Sequence, residues 1–238
     1  MHHDTPRDVA EGLAGAAGML LALVTPMFAG FRAHWGVTAE VAARSYPGDV
    51  LIPTPRWGWT HGVEIEAPPE DTWPWVAQIG QGHAGFYSYQ FLENVVGCDV
   101  ENADTIHPEW EARSGDQLRL HPGVRPLPFV GVEPGWWMLA YGRIDVTDGA
   151  RATPRTRPED VAVVSWLFHL ALLGGTRTRF VSRFRTVYGD TLAARLAMGP
   201  SLLEPVGFVM DRRMLLGVKA RVENAARGTL TASRTDAR

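Results

Sequence analysis

The chain has 238 residues, of which 45% are hydrophobic and 21% are charged, and its formal net charge is −3. This composition excludes an intrinsically disordered chain, and it argues against a nucleic-acid partner, which would require a basic face to neutralise phosphates. The single cysteine, Cys98, excludes an internal disulfide and any zinc site built mainly from thiolates. We expect neither a metal nor a cofactor.

Residues 1–37 are predicted to form an apolar N-terminal helix. No charged residue lies between Glu11 and Arg32, and this length just suffices for a membrane span. The glycines, the alanines and Pro26 of the same stretch fit a helix packed on the domain or on a partner equally well. Acidic residues around Arg7 argue against a signal peptide. A membrane anchor and a packed helix therefore both stay open.

The residues after this helix bear on its topology. If the segment is an anchor, Arg32, Arg44 and Arg56 would keep the main domain cytoplasmic, tethered to the inner face of the cell membrane. Residues 38–55 are predicted to be a connector, because Pro47-Gly48 and two further prolines interrupt them. The main domain is expected to occupy residues 56–227.

The main domain is predicted to begin with a strand over residues 57–67, which alternate loosely and are rich in β-branched and aromatic types. Two prolines and two acidic residues follow and indicate the start of a helix, with Asp71 or Thr72 as its N-terminal cap. Pro74 is tolerated there, because the first-turn amides of a helix have no intrahelical partner.

The stretch IGQGHAG contains Gly80-x-Gly82-x-x-Gly85, which is the spacing of a dinucleotide-binding loop. Such a loop must follow a buried strand and open the helix whose N-terminus holds the pyrophosphate. Here the glycines follow a predicted helix, and no repeated strand–helix alternation comes after them. We therefore predict a structural role, with Gly80 as the C-terminal cap of that helix and a second short helix in FYSYQFLEN.

Residues 117–188 are predicted to be mainly antiparallel strands. Three short strands, residues 117–122, 126–133 and 136–142, include a turn at Glu133-Pro134-Gly135, and residues 145–158 form a polar loop. The strand 161–173 is apolar on both faces, so we expect it to be buried on both. The strand 176–188 carries arginines on one side, which either hold an anionic ligand or form the favoured solvated outer face. These arginines are Arg177, Arg179, Arg183 and Arg185.

A long C-terminal helix is predicted within residues 190–227, after Pro200 and Pro205. Its apolar residues recur at steps of three and four and form one stripe, from which Asp211 is predicted to face away. The stripe comprises Leu203, Val206, Gly207, Met210, Met214, Gly217 and Val218. The tail, residues 228–238, is predicted to be disordered.

This order of strand, two short helices, antiparallel strands and long helix resembles the helix-grip fold of the START-like (SRPBCC) superfamily, which includes lipid-transfer domains, pollen-allergen-like proteins and polyketide cyclases. The segment EIEAPPEDTWPWVAQIG, where a strand ends in E-x-A-P-P-E before Trp75, looks like many bacterial members. The resemblance implies an α+β fold, in which a curved antiparallel β-sheet wraps around the C-terminal helix and leaves a large apolar cavity. The superfamily shares no universal catalytic motif, so the resemblance assigns no catalytic residue here.

The resemblance also implies that the cavity binds an apolar small molecule or a lipid. The candidate binding residues are aromatic side chains, two methionines and one histidine, and ordinary core packing is the alternative explanation for each aromatic. They are Trp75, Phe86, Tyr87, Tyr89, Trp137, Trp166, His169, Phe184, Met210 and Met214.

The alternative function is a cyclase- or hydratase-type enzyme that uses acid–base groups in the same cavity. His169, a lone imidazole in an apolar strand, is its best candidate, although a hydrogen-bonded core histidine would explain it as well. His83, Glu93 and Asp104 are weaker candidates near the cavity mouth. No Ser-His-Asp set, metal cluster or phosphate-binding loop in the sequence supports a sharper assignment.

Overall fold

A six-stranded antiparallel sheet forms the centre of the computed structural model, which describes residues 4–235. Its strands are β1 (Trp57–Ile65), β2 (Gln117–Leu118), β3 (Leu127–Glu133), β4 (Trp137–Asp145), β5 (Val161–Leu173) and β6 (Arg177–Tyr188). Their order across the sheet is β1-β6-β5-β4-β3-β2. The two long predicted strands correspond to β5 and β6, which pair with each other over nearly their whole length.

The α-helices lie before, between and after these strands. Within residues 4–235 they are α1 (Pro6–Val24), α2 (Ala29–Arg32), α3 (Ala39–Ala43), α4 (Pro69–Ala77), α5 (Gln90–Val95), α6 (Leu192–Met198) and α7 (Pro200–Thr235). The long helix α7 packs against β1, β6, α1 and α4. The order β1, α4, α5, five strands, α6 and α7 confirms the predicted α+β helix-grip fold.

Side chains alternate between the two faces of the sheet. The inner face carries Phe180, Ser182 and Phe184 and faces α7, to which Ser182 is hydrogen-bonded. The opposite side is called the outer face below. Leu167 and Phe168, neighbours on β5 that point to opposite faces, are both buried, so the strand is covered on both sides as its apolar sequence predicts.

The segment 38–55, predicted as a connector, covers part of the outer face. Asp49 accepts hydrogen bonds from Arg183 (Nε to Oδ1, 2.9 Å) and Arg185 (Nη1 to Oδ1, 3.1 Å). The ring of Tyr46 packs edge-on against His169, with 5.3 Å between ring centroids. The prediction of a solvated arginine face is therefore wrong for Arg183 and Arg185. Alternation assigns a side chain to a face of the sheet, but it does not reveal which other segment covers that face.

The N-terminal helix α1 packs on the domain. Gly12 lies against Phe91 of α5, so closely that an added Cβ would be 2.5 Å from the phenyl ring. At the end of α2, the buried guanidinium of Arg32 forms a two-point ion pair with Glu204 of α7, at 2.7 Å and 2.8 Å. The glycines of the segment thus permit close helix contact.

The stretch after α2 completes the edge of the sheet. β1 is an edge strand, and its Thr60 and Gly62 amides donate to the carbonyls of Ala33 (2.8 Å) and Trp35 (3.1 Å). These bonds satisfy backbone groups that an exposed edge strand would leave unpaired. The N-terminal segment is therefore tied to the sheet as well as to α7.

The outward side of the N-terminal segment remains apolar. Leu20, Leu21, Val24, Met27 and Phe31 are all exposed there. Within the described part of the chain, no single helix has the length and apolarity to cross a membrane; α1 and Pro26–Arg32 meet that test only as a pair, bent by 91°. Contact of this segment with a membrane stays a prediction.

Two helix boundaries differ from those predicted. α4 begins at Pro69, and Thr72 lies inside it with its amide bonded to the Pro68 carbonyl (3.2 Å), so neither proposed cap begins the helix. Proline suits the first helical position because its φ is fixed near the helical value. The tail predicted to be disordered from Gly228 continues α7 to Thr235, since one glycine costs a helix only about 1 kcal/mol. Residues 236–238 lie outside the described residues.

The glycine motif forms a tight turn. The amide of Gly80 donates to the carbonyl of Gly85 (2.9 Å), and the amide of Gly85 donates back to the carbonyl of Gly80 (3.1 Å). Both residues and Gly82 have positive φ. Gly80 is not a helix cap, because α4 ends at Ala77 and Gln78 caps it. The glycines serve the turn, and the next helix, α5, begins only at position 90.

We expect Gly85→Ala to lower the free energy of unfolding by more than about 1 kcal/mol, measured by urea denaturation. Its φ is +71°, and a Cβ would lie 2.6 Å from Asn102 Oδ1. Gly82→Ala is the control, because Gly82 has a similar φ of +80° but open space around it. Equal losses in both variants would contradict a packing role for Gly85. A saturable stabilisation of the protein by NAD or ATP would contradict the structural role of the motif.

Candidate ligand-binding cavity

A cavity of about 680 Å³ lies between the inner face of the sheet and the first half of α7. Its floor is aromatic and aliphatic, with Trp59, Trp166 and Phe184 from the sheet. The remaining walls come from α1, α5, the 120–124 loop, α6 and α7. These contribute mostly apolar side chains, including Met19, Leu92, Val95, Val96, Leu120, Val124, Ala197, Met198, Leu203, Val206, Met210 and Met214.

The cavity opens near the end of α5. Val95 and Val96 both line the cavity and are exposed on the surface. Ala197 of α6 is likewise exposed and lines the cavity. The lining therefore reaches the protein surface at α5 and at α6.

Half of the predicted binding residues line this cavity: Phe86, Trp166, Phe184, Met210 and Met214. The methionines lie one turn apart on α7, and residues 203–214 of the stripe that contains them line the cavity, whereas Gly217 lies against Tyr87 in the core. Met214 is 1% exposed. It therefore belongs to the packed core as well as to the cavity wall.

Trp75, Tyr87 and Tyr89 lie elsewhere in the fold. Trp75 and Tyr87 are buried in the core, with ring centroids 6.2 Å apart. The Tyr87 hydroxyl accepts a hydrogen bond from Gln78 (2.6 Å), and burial raises the Tyr87 pKa to about 12. Tyr89 packs under α1 against Gly15. Their contacts are those of structural residues.

Trp137 and His169 lie on the outer face, so neither can contact a ligand in the cavity. They are directly opposite each other on β4 and β5. Burial lowers the pKa of His169, which favours the neutral imidazole. The placement of His169 as the acid–base candidate of the cavity is wrong, because Trp166 and His169 are three residues apart on one strand and must point to opposite faces.

Of the three weaker candidates, Glu93 alone lines the cavity. His83 is exposed beside Trp110, and the exposed Asp104 pairs with Arg221 (2.8 Å). Glu93 is 6% exposed, and within residues 4–235 its Oε2 has no hydrogen-bond partner. Burial raises the pKa of its carboxyl to about 7. This cavity therefore contains a carboxyl group that titrates near neutral pH.

A series of hydrogen-bonded polar side chains that was not predicted from the sequence is buried in the cavity wall. Asp211 was predicted to face away from the apolar stripe, yet it is 3% exposed and lines the cavity. Its carboxylate binds His61 Nδ1 (2.5 Å) and accepts from the Ser182 hydroxyl (2.6 Å), which in turn accepts from Trp166 Nε1 (2.8 Å). The alternation Trp59-x-His61-x-Val63 already places His61 on the inner face, so this much could have been read from the sequence.

These hydrogen-bonded side chains do not have the order of a nucleophilic triad. In such a triad the histidine lies between serine and carboxylate and removes the serine proton. Here Asp211 lies between Ser182 and His61 and accepts from both. The group therefore joins α7 to β1 and β6. Among the described residues, no three potential ligand side chains are grouped to hold a metal ion.

No protein-family model and no curated protein matches the chain. Similar solved structures include a hypothetical protein from Helicobacter pylori, with 10% identity, coverage of 75% of this chain and 95% of that one, and a TM-score of 0.44. Zhui aromatase/cyclase from a Streptomyces species has 14% identity, coverage of 73% and 97%, and a TM-score of 0.32. A Polyketide_cyc-like protein from Corynebacterium glutamicum has 14% identity, coverage of 68% and 88%, and a TM-score of 0.30.

These similarities are too distant to assign a substrate or an activity. The fold follows instead from the chain's own architecture: a six-stranded antiparallel sheet, two short helices after its first strand, and a 36-residue C-terminal helix packed on its inner face. The chain therefore has an α+β helix-grip fold.

Proposed function

We propose that the protein binds a hydrophobic small molecule or a lipid in the cavity between the sheet and α7. The observation that carries this proposal is the apolar lining of a space of about 680 Å³. Ligand sites typically enclose about 300–1,000 Å³, with apolar walls and a few polar groups. Each ligand methylene that leaves water for such a wall contributes about 0.8 kcal/mol.

One observation favours a second candidate, a cyclase- or hydratase-type enzyme. Glu93 has a pKa of about 7 and lines the cavity, and a general acid or base works best when its pKa is near the working pH. His169 plays no part in this proposed enzyme, because it lies on the outer face. The enzyme would therefore depend on Glu93.

Native mass spectrometry of the protein purified from its host tests both candidates. A co-purifying apolar compound supports the binding function. Conversion of that compound on incubation with the protein, and no conversion with Glu93→Gln, supports the enzyme. If the protein carries no such compound and binds no apolar dye, the binding proposal is wrong.

We expect Val206→Trp to weaken binding of the neutral apolar dye N-phenyl-1-naphthylamine at least about tenfold, or about 1.4 kcal/mol. Val206 lines the cavity and is half-buried, so the larger ring system occupies ligand space. The measurement is a fluorescence titration. Phe208→Trp is the matched control on the same helix, because Phe208 faces Trp35 and His61 rather than the cavity. Equal loss of dye binding in both variants would contradict this location of the site.

A further inference from the structure

The ionisable groups that line the cavity are mainly acidic. They include two carboxyl groups, Glu93 and Asp211, and within the described chain the lining contains no lysine or arginine. His121, at the mouth, is the one basic side chain among these lining residues, and it is hydrogen-bonded to the Val96 carbonyl through Nε2 (2.8 Å). An anionic ligand would therefore meet two acids without a cationic partner.

The two carboxyl groups differ in how they are satisfied. Both oxygens of Asp211 are bonded, one to His61 and the other to Ser182. Within residues 4–235, Oε2 of the buried Glu93 carboxyl has no such bond, and burial alone accounts for the raised pKa of this group. A buried carboxyl without a partner destabilises the protein unless a ligand supplies a donor or a counter-charge. Among the described lining residues, Glu93 is therefore the ionisable group that lacks a partner; the indole Nε1 of Trp59 also lacks one, but it carries no charge.

We propose that the ligand of this cavity carries a protonated amine on an apolar body, and that the amine pairs with the carboxylate of Glu93. This inference rests on the proposed binding function. An ammonium–carboxylate hydrogen bond is about twice as strong as a neutral one, and it satisfies Glu93 in its charged form. Fatty acids and phospholipids fit poorly, because each brings an anion to a cavity lined by acids.

Other ionisable groups around Glu93 are accounted for. Cys98, on the same wall, has a pKa raised by burial and by Glu93 itself, so its thiol stays neutral near pH 7. From α1, Glu11 is paired with Arg213 of α7. Asp4 accepts from the side-chain amides of Gln90 and Asn94 on α5 (3.3 and 3.2 Å). Glu93 itself is left to respond to a cationic ligand.

The test compares dodecylamine, dodecanol and dodecanoate, which share one alkyl chain, as competitors of N-phenyl-1-naphthylamine below their micelle thresholds. At about pH 8 we expect the dissociation constant of dodecylamine to be at least about tenfold lower than that of dodecanoate, with dodecanol between them. The amine should lose most of its advantage over the alcohol at about pH 5.5, where Glu93 is protonated while an alkylamine, like lysine, is still charged.

Variants assign the preference to one residue. Glu93→Gln should weaken dodecylamine binding about tenfold and leave dodecanol binding nearly unchanged. Glu109→Gln removes the same charge from an exposed carboxylate beside His107 and should change neither. A change of amine binding in both variants would indicate a net-charge effect and overturn the inference.

The outcomes separate the two proposals. If none of the three competitors displaces the dye, and the dye itself does not bind, the binding function fails. If all three compete equally, or dodecanoate competes best, the binding function stands and the amine inference is overturned. An amine preference that Glu93→Gln leaves intact also overturns it, and because wild-type pH dependence is measured separately, the inference can be judged even if that variant fails to fold.

Discussion

Replacing Glu93 with glutamine is expected to stabilise the ligand-free protein far more at about pH 8 than at about pH 5. In the folded protein burial raises the pKa of the Glu93 carboxyl from its ordinary value of 4.5 to about 7. A raised pKa means that the stability contributed by the carboxyl is fully present below about pH 4.5 and is lost as the pH rises through 7. The full displacement corresponds to about 3 kcal/mol.

Urea unfolding of the variant and the wild type over this pH range measures the effect. The difference in free energy of unfolding, variant minus wild type, should grow by about 2–3 kcal/mol between about pH 5 and pH 8. The other ionisable residues are common to both proteins, so their contributions largely cancel. Glu109→Gln should give a difference that stays flat, because the pKa of the exposed Glu109 is lowered and lies below this range. A flat profile for Glu93→Gln as well would show that the carboxyl is solvated or paired.

The long elements of the fold could be predicted because their patterns are local. β5 has the predicted bounds, and β6 differs from its predicted bounds by a single residue at its start. Each face of β6 also follows from simple alternation: the phenylalanines and Ser182 lie on the inner face, and the arginines on the outer. The stripe of α7 likewise lies on the inward side of the helix, because three- and four-residue steps place side chains on one side of a helix; its first part lines the cavity and its end packs in the core.

The site was harder to predict, because it depends on contacts between segments distant in sequence. His61 and Asp211 are 150 residues apart, and neither alone signals that it is the partner of the other. Asp211 follows apolar Met210 on the helix, so an isolated helix pattern assigns it to solvent, while its hydrogen bonds to β1 and β6 hold it inside. The error on His169 was avoidable, since strand parity alone separates it from Trp166.

The position of the N-terminal segment also depends on a contact between residues distant in sequence. Arg32 lies just after the apolar stretch, where the sequence alone indicates only a positive charge that could flank a membrane span. In the structure it is buried with Glu204, and its Nη1 also donates to the Thr25 carbonyl (2.9 Å). A two-point contact of this kind fixes the end of α2 relative to the start of α7. Arg32 therefore joins the N-terminal segment to α7, and Met19 of α1 contributes to the cavity lining.

We expect Arg32→Ala to lower the free energy of unfolding by about 3–5 kcal/mol, because it leaves the Glu204 carboxylate buried without a counter-charge. The side chains of Arg32 and Glu204 are only 5% and 9% exposed. Urea denaturation at about pH 7 measures the loss. Arg177→Ala is the control: its pair with Glu64 is exposed (43% and 42%), and exposed pairs contribute about 1 kcal/mol or less.

The double variant Arg32→Met with Glu204→Leu distinguishes the loss of attraction from the cost of the unpaired charge. If the unpaired carboxylate causes the loss, replacing both charges with apolar side chains should restore most of the stability. A chain that begins at Thr38 lacks Arg32 and all of α1, and it should lose at least as much stability as Arg32→Ala. If the shortened chain unfolds at the same urea concentration as the full chain, α1 contributes nothing to the stability of the domain. Its packing against α5 and α7 would then not explain why the inner side of α1 is rich in glycine.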